Sequence, residues 1–261
     1  MITVLTPTFN RAATIERLYN SLESTLATNF EWLVIDDGSA DDTAKRIRDL
    51  QKNASFPVRY QWQTNGGKHM AINAGVEAAK GDWVFIVDSD DAVTPDSLAQ
   101  IEGAINQDVG SEHVGICFRK ELFSGEWVGR EQARCPDRPL VMSPTEAGHF
   151  FQGDLAYVFR RDVLAELPFP KIEGEKFVPE LYIWNQVADR GAILFYPNVS
   201  IYRCDYLDDG YSRNFKRNLR RNPRGFRLFY VSQIRRERTW FRKVKVAVRA
   251  LQCWFYTRAG E

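Results

Sequence analysis

The chain has 261 residues, 44% of them hydrophobic, with 35 Lys and Arg against 34 Asp and Glu; this suits one large domain or a domain with an extension and excludes a peptide, a repeat array or a disordered tail. The near-neutral total conceals a division, because residues 1–210 carry 32 acidic and 20 basic side chains whereas residues 211–261 carry 2 and 15, an acidic body with a basic tail fitted to an anionic partner. No stretch reaches the roughly 18 consecutive apolar residues of a membrane span, the amino terminus MITVLTPTFNR lacks an export-signal profile, and four cysteines without a CxxC pair indicate neither a zinc site nor a disulfide framework, so a cytoplasmic protein is expected.

In chain order, β-branched runs alternate with helical patterns, the signature of βαβ units around a mostly parallel sheet. Ile2 to Thr6 reads as a strand, and residues 12–27 as a helix with Ile15, Leu18, Tyr19, Leu22 and Leu26 on one face. A strand from Glu31 to Ile35 ends in DDGS. A helix over about Asp42 to Gln51, a strand at Val58 to Trp62 and a helix over Lys68 to Ala79 follow, the last opened by a glycine pair. The strand Asp82 to Val87 ends in Asp88-Ser89-Asp90-Asp91, and another helix begins near Pro95. Beyond it the reading is a strand at Val114 to Phe118, a loop over 125–139, a strand running into a helix at Tyr157 to Leu164, a helix over Phe177 to Asp189 and a strand within Ile193 to Ile201. After Asn214 the chain is helical, interrupted at Pro223 and Gly225.

Polar clusters therefore fall at the carboxyl ends of strands, where open α/β sheets bind ligands. The carboxylates of Asp88-Ser89-Asp90-Asp91 suit a hard divalent cation that shares its oxygen ligands with phosphates; a solvated turn or helix cap is the competing reading. Asp36-Asp37-Gly38-Ser39 could offer a carboxylate to a nucleotide base or merely close an Asx-type turn. Asn65-Gly66-Gly67-Lys68-His69 places backbone N–H groups and a lysine at a helix start, an arrangement that attracts phosphate, although GxxxxGK[ST] is absent.

Together VLTPTFNR, FEWLVIDDGSADDT, QTNGGKHMAINAG and VFIVDSDD resemble the family 2 glycosyltransferases of GT-A fold. The likeness is close over about the first 100 residues and returns in EGEKFVPELYIWNQVADRG and IYRCDYLDDGYS, which are similar to a bacterial branch engaged in polysaccharide biosynthesis. It implies that Pro7, Thr8, Phe9 and Asn10 line the nucleotide pocket, that Asp37 with Asp36 meets the base, and that Gly67 and Lys68 bind the donor, Lys68 near the base or the diphosphate. Asp88 would hold the ribose or the metal, Asp90 would coordinate Mn²⁺ or Mg²⁺, and Asp91 would be a third member. Glu180 matches the position of the family's catalytic base, with Glu175 in reserve; a charge at a helix amino terminus is the alternative for either. Where many relatives have a metal-binding histidine, this chain has Cys204 and Asp205.

The resemblance implies a GT-A catalytic domain over 1–210, divided into a nucleotide-sugar half (1–107) and an acceptor half (108–210), followed by a helical basic extension (211–261). The implied reaction is inverting, metal-dependent transfer of a sugar from a nucleoside diphosphate donor to a hydroxyl of a glycan or lipid-linked acceptor. A sugar nucleotidyltransferase and a non-catalytic membrane-bound assembly module are the rivals. The former lacks its usual glycine-rich loop, since TPTFNR has no glycine; the latter would bind donor without transfer.

Within the tail, Trp240 to Tyr256 sets Trp240, Val244, Ala247, Val248, Leu251, Trp254 and Phe255 on one helical face and cations largely elsewhere. Such a helix suits peripheral contact with an anionic membrane through 239–257, or packing on the catalytic body or on a second subunit. Nucleic acid is not an expected partner, because no recognition motif accompanies the charge.

Overall fold

The computed structural model describes residues 1–25, 27–130, 135–205 and 214–260. Leu26, the LDDG of residues 207–210 and the expected boundary at Gly210 lie outside them.

The first half consists of β1 (Ile2–Thr8), α1 (Ile15–Glu23), β2 (Phe30–Asp36), α2 (Thr43–Asn53), β3 (Val58–Trp62), α3 (Lys68–Ala78), β4 (Trp83–Ile86), the short β5 (Ala92–Val93) and α4 (Ser97–Gln107). In the second half come β6 (His113–Leu122), β7 (Leu140–Val141), α5 (Pro144–Phe151), β8 (Leu155–Arg160), α6 (Arg161–Ala165), α7 (Leu181–Val187) and β9 (Ala192–Cys204). The tail forms α8 (Phe215–Arg221), α9 (Pro223–Arg236) and α10 (Trp240–Gly260).

One sheet runs β3-β2-β1-β4-β8-β6-β9-β5, with β7 on β9. It is parallel from β3 to β4, as the alternating pattern requires. Beyond β4 it becomes mixed: β8 enters antiparallel between β4 and β6, β6 and β9 are parallel, and β5 and β7 pair antiparallel with β9. The expected mostly parallel pairing thus holds from β3 to β4 and again between β6 and β9, while β8, β5 and β7 are the antiparallel members.

Burial on both faces gives β1 and β2 continuous apolar runs. Alternation divides them: Val4, Trp32 and Val34 pack with Ile15 and Leu18 of α1 and Ile47 of α2, while Leu5, Leu33 and Ile35 pack with Ala71, Ile72 and Val76 of α3. The sheet is therefore the middle of three layers. Helix α3 sits close because Gly75 has no side chain; a Cβ there would stand 2.1 Å from Leu5 Cδ1.

Helix α5 was not anticipated, yet its signal is present: Ser143 accepts from the Glu146 N–H and the Glu146 carboxylate accepts from the Ser143 N–H, a complete capping box with Pro144 in the first turn. The helix expected over 177–189 is shorter, beginning at Leu181.

The tail is packed on the body. Phe226 of α9 meets Phe177 at 5.3 Å between ring centroids, Gln233 accepts from Thr145 and Asn185 in a buried network, and buried Glu237 pairs with His149 at 2.8 Å. Helix α10 lies on α8 and α9 through Val246, Ala250, Cys253 and Tyr256. Of the placements open to the stripe with Val244, Val248, Leu251 and Phe255, packing on the body is not the one adopted: those residues face outward and a second stripe makes the contact. Val at Gly75 must displace the fully buried Leu5, so Gly75→Val is expected to cost about 1–3 kcal/mol, seen as a lower urea midpoint with an unchanged slope.

Candidate active site

The site lies at the carboxyl ends of β1, β2 and β4. Asn10, beyond β1, adopts a left-handed conformation (φ 52°); its N–H donates to Ser39 Oγ at 2.8 Å and its Oδ1 accepts from the Ala40 N–H at 2.9 Å. These bonds tie the loop after β1 to the DDGS loop. Pro7 and Thr8 are buried within β1, whereas Phe9 and Asn10 are exposed at its end.

The paired aspartates are buried and engaged. Asp36 accepts from the Ser39 N–H and the Tyr60 hydroxyl, both at 2.8 Å. Asp37 accepts from Gln63 Nε2 at 2.7 Å and from the N–H groups of Gly66 and Gly67 at 2.8 and 2.7 Å. An ionised carboxylate offers about four acceptor sites, so Asp37 fixes the glycine loop and keeps capacity for one more donor.

Gly67 explains the double glycine. Its φ is +94°, and a Cβ would stand 2.0 Å from the Lys176 carbonyl oxygen, so only glycine lets the segment leading to α7 lie against the amino terminus of α3. Lys68, the first residue of α3, then reaches two carboxylates: its Nζ is 2.6 Å from Asp88 Oδ1 and 2.7 Å from Glu180 Oε1. Glu180 occupies the N-cap position of α7 but makes no side-chain cap bond; its carboxylate turns to Lys68 instead. Burial disfavours the charge on Lys68, but Asp88 and Glu180 outweigh it and raise its pKa.

The three aspartates after β4 have separate surroundings. Burial would lift Asp88, but Lys68, assisted by Lys120 and Arg11, holds it below the usual carboxylate range. Asp90 is raised by burial and by the neighbouring Asp88 charge, although Arg11 Nε stands 3.5 Å from its Oδ2 and Arg17 donates to its carbonyl. Asp91 is pushed up to about 7 by burial, then by Asp88. Tyr202 of β9 locks the turn: its hydroxyl accepts from the Asp88 N–H at 2.9 Å and donates to Asp91 Oδ2 at 2.7 Å, while Lys120 Nζ lies 3.7 Å above its ring.

Asp88 and Asp90 together fit a hard divalent ion that takes two protein carboxylates and completes its shell with phosphate and water oxygens, because the mutual opposition that raises Asp90 is what a cation relieves. Among the described residues no three His, Cys, Asp or Glu side chains gather as a fuller cage. Burial pushes the Cys204 thiol up to about 12, which keeps it protonated and a poor ligand, and Asp205 is exposed.

The structure thus brings Lys68, Asp88 and Glu180 into contact and sets Asp90 beside Arg11. Arg11, Arg17, Lys120 and Tyr202 were not singled out in the sequence; Arg11 sits in the TPTFNR string, but Lys120 and Tyr202 arrive through the distant β6–β9 pairing. Glu175, the reserve base, is committed elsewhere: its buried carboxylate accepts from the N–H groups of Arg224 and Gly225, both at 2.8 Å, and from Arg224 Nε at 3.2 Å. His69 is buried against Phe169, and burial lowers its pKa. Trp184 is buried among Tyr157, Phe159 and Phe169.

Residues 3–167 match the description "Glycosyl transferase family 2", and the chain belongs to that family. It is similar to the GalNAc(5)-diNAcBac-PP-undecaprenol beta-1,3-glucosyltransferase of Campylobacter jejuni, 26% identical over 232 residues that cover 82% of this chain and 69% of the relative. The chain spans between 35% and 53% of the length of three further curated relatives. Among solved structures, S. aureus TarS 1–349 in complex with UDP-GlcNAc superposes with TM-score 0.69 at 19% identity, covering 97% of this chain and 72% of that one. The Pyrobaculum calidifontis mannosyltransferase PcManGT, in complex with GDP-Man and Mn²⁺, gives 0.63 at 18%, covering 99% and 74%. These likenesses establish a GT-A type fold.

Removing Glu175 leaves buried N–H donors and Arg224 without their acceptor. Glu175→Ala is therefore expected to cost about 2–4 kcal/mol, measurable as a shift of the urea unfolding midpoint.

Proposed function

We propose that the protein is an inverting glycosyltransferase that moves a sugar from a nucleoside diphosphate donor to a hydroxyl of a glycan or lipid-linked acceptor. The observation that carries this reading is the Lys68 bridge, in which one ammonium touches both Asp88 on the nucleotide side and Glu180 on the facing segment. A leaving diphosphate needs a cation, and an attacking hydroxyl needs a base; Lys68 and Glu180 put them side by side. Family membership, the UDP-GlcNAc bound to TarS and the undecaprenol-linked glycan in the name of the Campylobacter relative support the donor and acceptor classes.

In this reading the base of the donor uses the remaining acceptor capacity of Asp37, with Asp36 holding the loop and residues 7–10 forming the pocket edge. Diphosphate oxygens then compete for Lys68. As Lys68 turns toward them, Glu180 loses its ion pair and becomes free to accept a proton. The acceptor oxygen attacks the anomeric carbon while the bond from that carbon to the phosphate oxygen breaks, its electron pair leaving with the diphosphate. Glu180 takes the acceptor proton, and the anomeric configuration inverts. Asp88 and Asp90 are the residues that would hold Mn²⁺ or Mg²⁺, which when bound supplies Lewis-acid stabilisation of the leaving group. Residues 1–210 are taken as the catalytic domain, with 1–107 as the donor half and 108–210 as the acceptor half. Residues 211–261 are taken as its extension, supported by the separate cluster of buried side chains in α8–α10.

Thermal shift against a panel of nucleotide sugars identifies the donor, since ligand binding raises the midpoint by mass action. Turnover is then followed with labelled donor and a glycolipid extract. Glu180→Gln is expected to lose about 10²- to 10⁴-fold in kcat while its donor affinity is unchanged or improved, because Lys68 is released from one partner. Asp90→Ala is expected to lose turnover and the response to added Mn²⁺. Wild-type rates in Glu180→Gln would overturn the assignment of the base.

A further inference from the structure

Helix α10 is apolar on two sides, and only one is covered. Val246, Ala250 and Cys253 turn inward, whereas Val244, Val248, Leu251 and Phe255, spaced at helical intervals of four, three and four, are 50–59% exposed, and Trp240 and Phe241 at its start are 75% and 67% exposed. Leu228 and Val231 of α9 are exposed as well; Val231 and Leu251 line one shallow concavity on the joint surface of the two helices. A contiguous exposed apolar patch rimmed by charge marks an interaction surface.

The rim has one sign. Between residues 214 and 260 the single acidic residue is Glu237, which is buried and paired with His149. Arg224, Arg236 and Arg238 are neutralised by Glu175, Asp189 and Glu146 of the body. Arg227 on α9 and Arg242, Lys243 and Lys245 on α10 have no carboxylate partner among the described residues, and on α8 Lys216, Arg217, Arg220 and Arg221 line a second concavity. A second copy of this face would set cations against cations across a two-fold axis. An anionic bilayer instead receives Trp, Phe, Val and Leu at its acyl boundary and cations at its phosphates.

We propose that the outer side of α9 and α10 seats the protein on an anionic lipid surface, with the apolar stripe in the interfacial layer and the flanking Lys and Arg on lipid phosphates. No helix among the described residues is long and apolar enough to cross a membrane, so the contact lies along the surface. It depends on exposed residues outside the cleft, and its success or failure is read without any sugar transfer.

The test is vesicle flotation of the full chain with phosphatidylcholine vesicles and with vesicles that also contain phosphatidylglycerol. Wild type is expected to float with the anionic vesicles and to bind neutral ones at least about tenfold more weakly. Val248→Asp/Leu251→Asp and, separately, Arg242→Gln/Lys243→Gln/Lys245→Gln are each expected to bind the anionic vesicles at least about tenfold more weakly with unaltered thermal midpoints. The second set removes charge alone and touches no packing, so it decides the matter if the first disturbs the fold. Equal binding to both vesicle types, or wild-type binding by the charge variant, would overturn the proposal. So would light scattering that shows a dimer abolished by the same substitutions in a protein that binds no vesicles.

Discussion

The site is organised around one partly desolvated ammonium held between two carboxylates from separate segments of the chain. Pairing offsets the cost of withdrawing Lys68 from water, and loss of either partner would leave an under-compensated charge. Asp88 rides on a strand end and Glu180 on the segment that leads into α7, so a single cation spans two parts of the chain that are 92 residues apart in sequence. The remaining charges arrange themselves around it: Asp88 is held ionised, Asp90 and Asp91 are driven toward their neutral forms, and Arg11, Arg17 and Lys120 approach the same turn.

The bridge requires backbone proximity that few residues permit. Gly67 allows the Lys176 carbonyl to approach, and Asp37 organises the two N–H groups of the glycine pair into a fixed loop. The carboxylate suited to a nucleotide base therefore also determines where the lysine stands.

Much of the first 107 residues was legible because their inner strands are buried on both faces and read as apolar runs, and because β1, β2 and β4 lead into polar clusters. Lys68 and Asp88 could be picked from motifs and Glu180 from the family resemblance, but their mutual contact could not, since it depends on the Gly67–Lys176 approach. The mixed sheet was hidden for a similar reason: the entry of β8 beside β4 follows from long-range pairing rather than local pattern. In α10 periodicity reveals the outer stripe of Val244, Val248, Leu251 and Phe255 but not the second one, Val246, Ala250 and Cys253, which packs on α8 and α9. Glu175 stands as a reserve base in the sequence because nothing local shows that its partners are the N–H groups of Arg224 and Gly225.

Glu175 and Lys176 are adjacent, one closing the amino terminus of α9 and the other lying on Gly67. A single peptide bond thus joins the residue that holds α9 to the one that lies on the glycine pair. The tail is therefore anchored one residue away from the glycine pair, and it bears on α5 and α7 as well through Gln233 and Glu237.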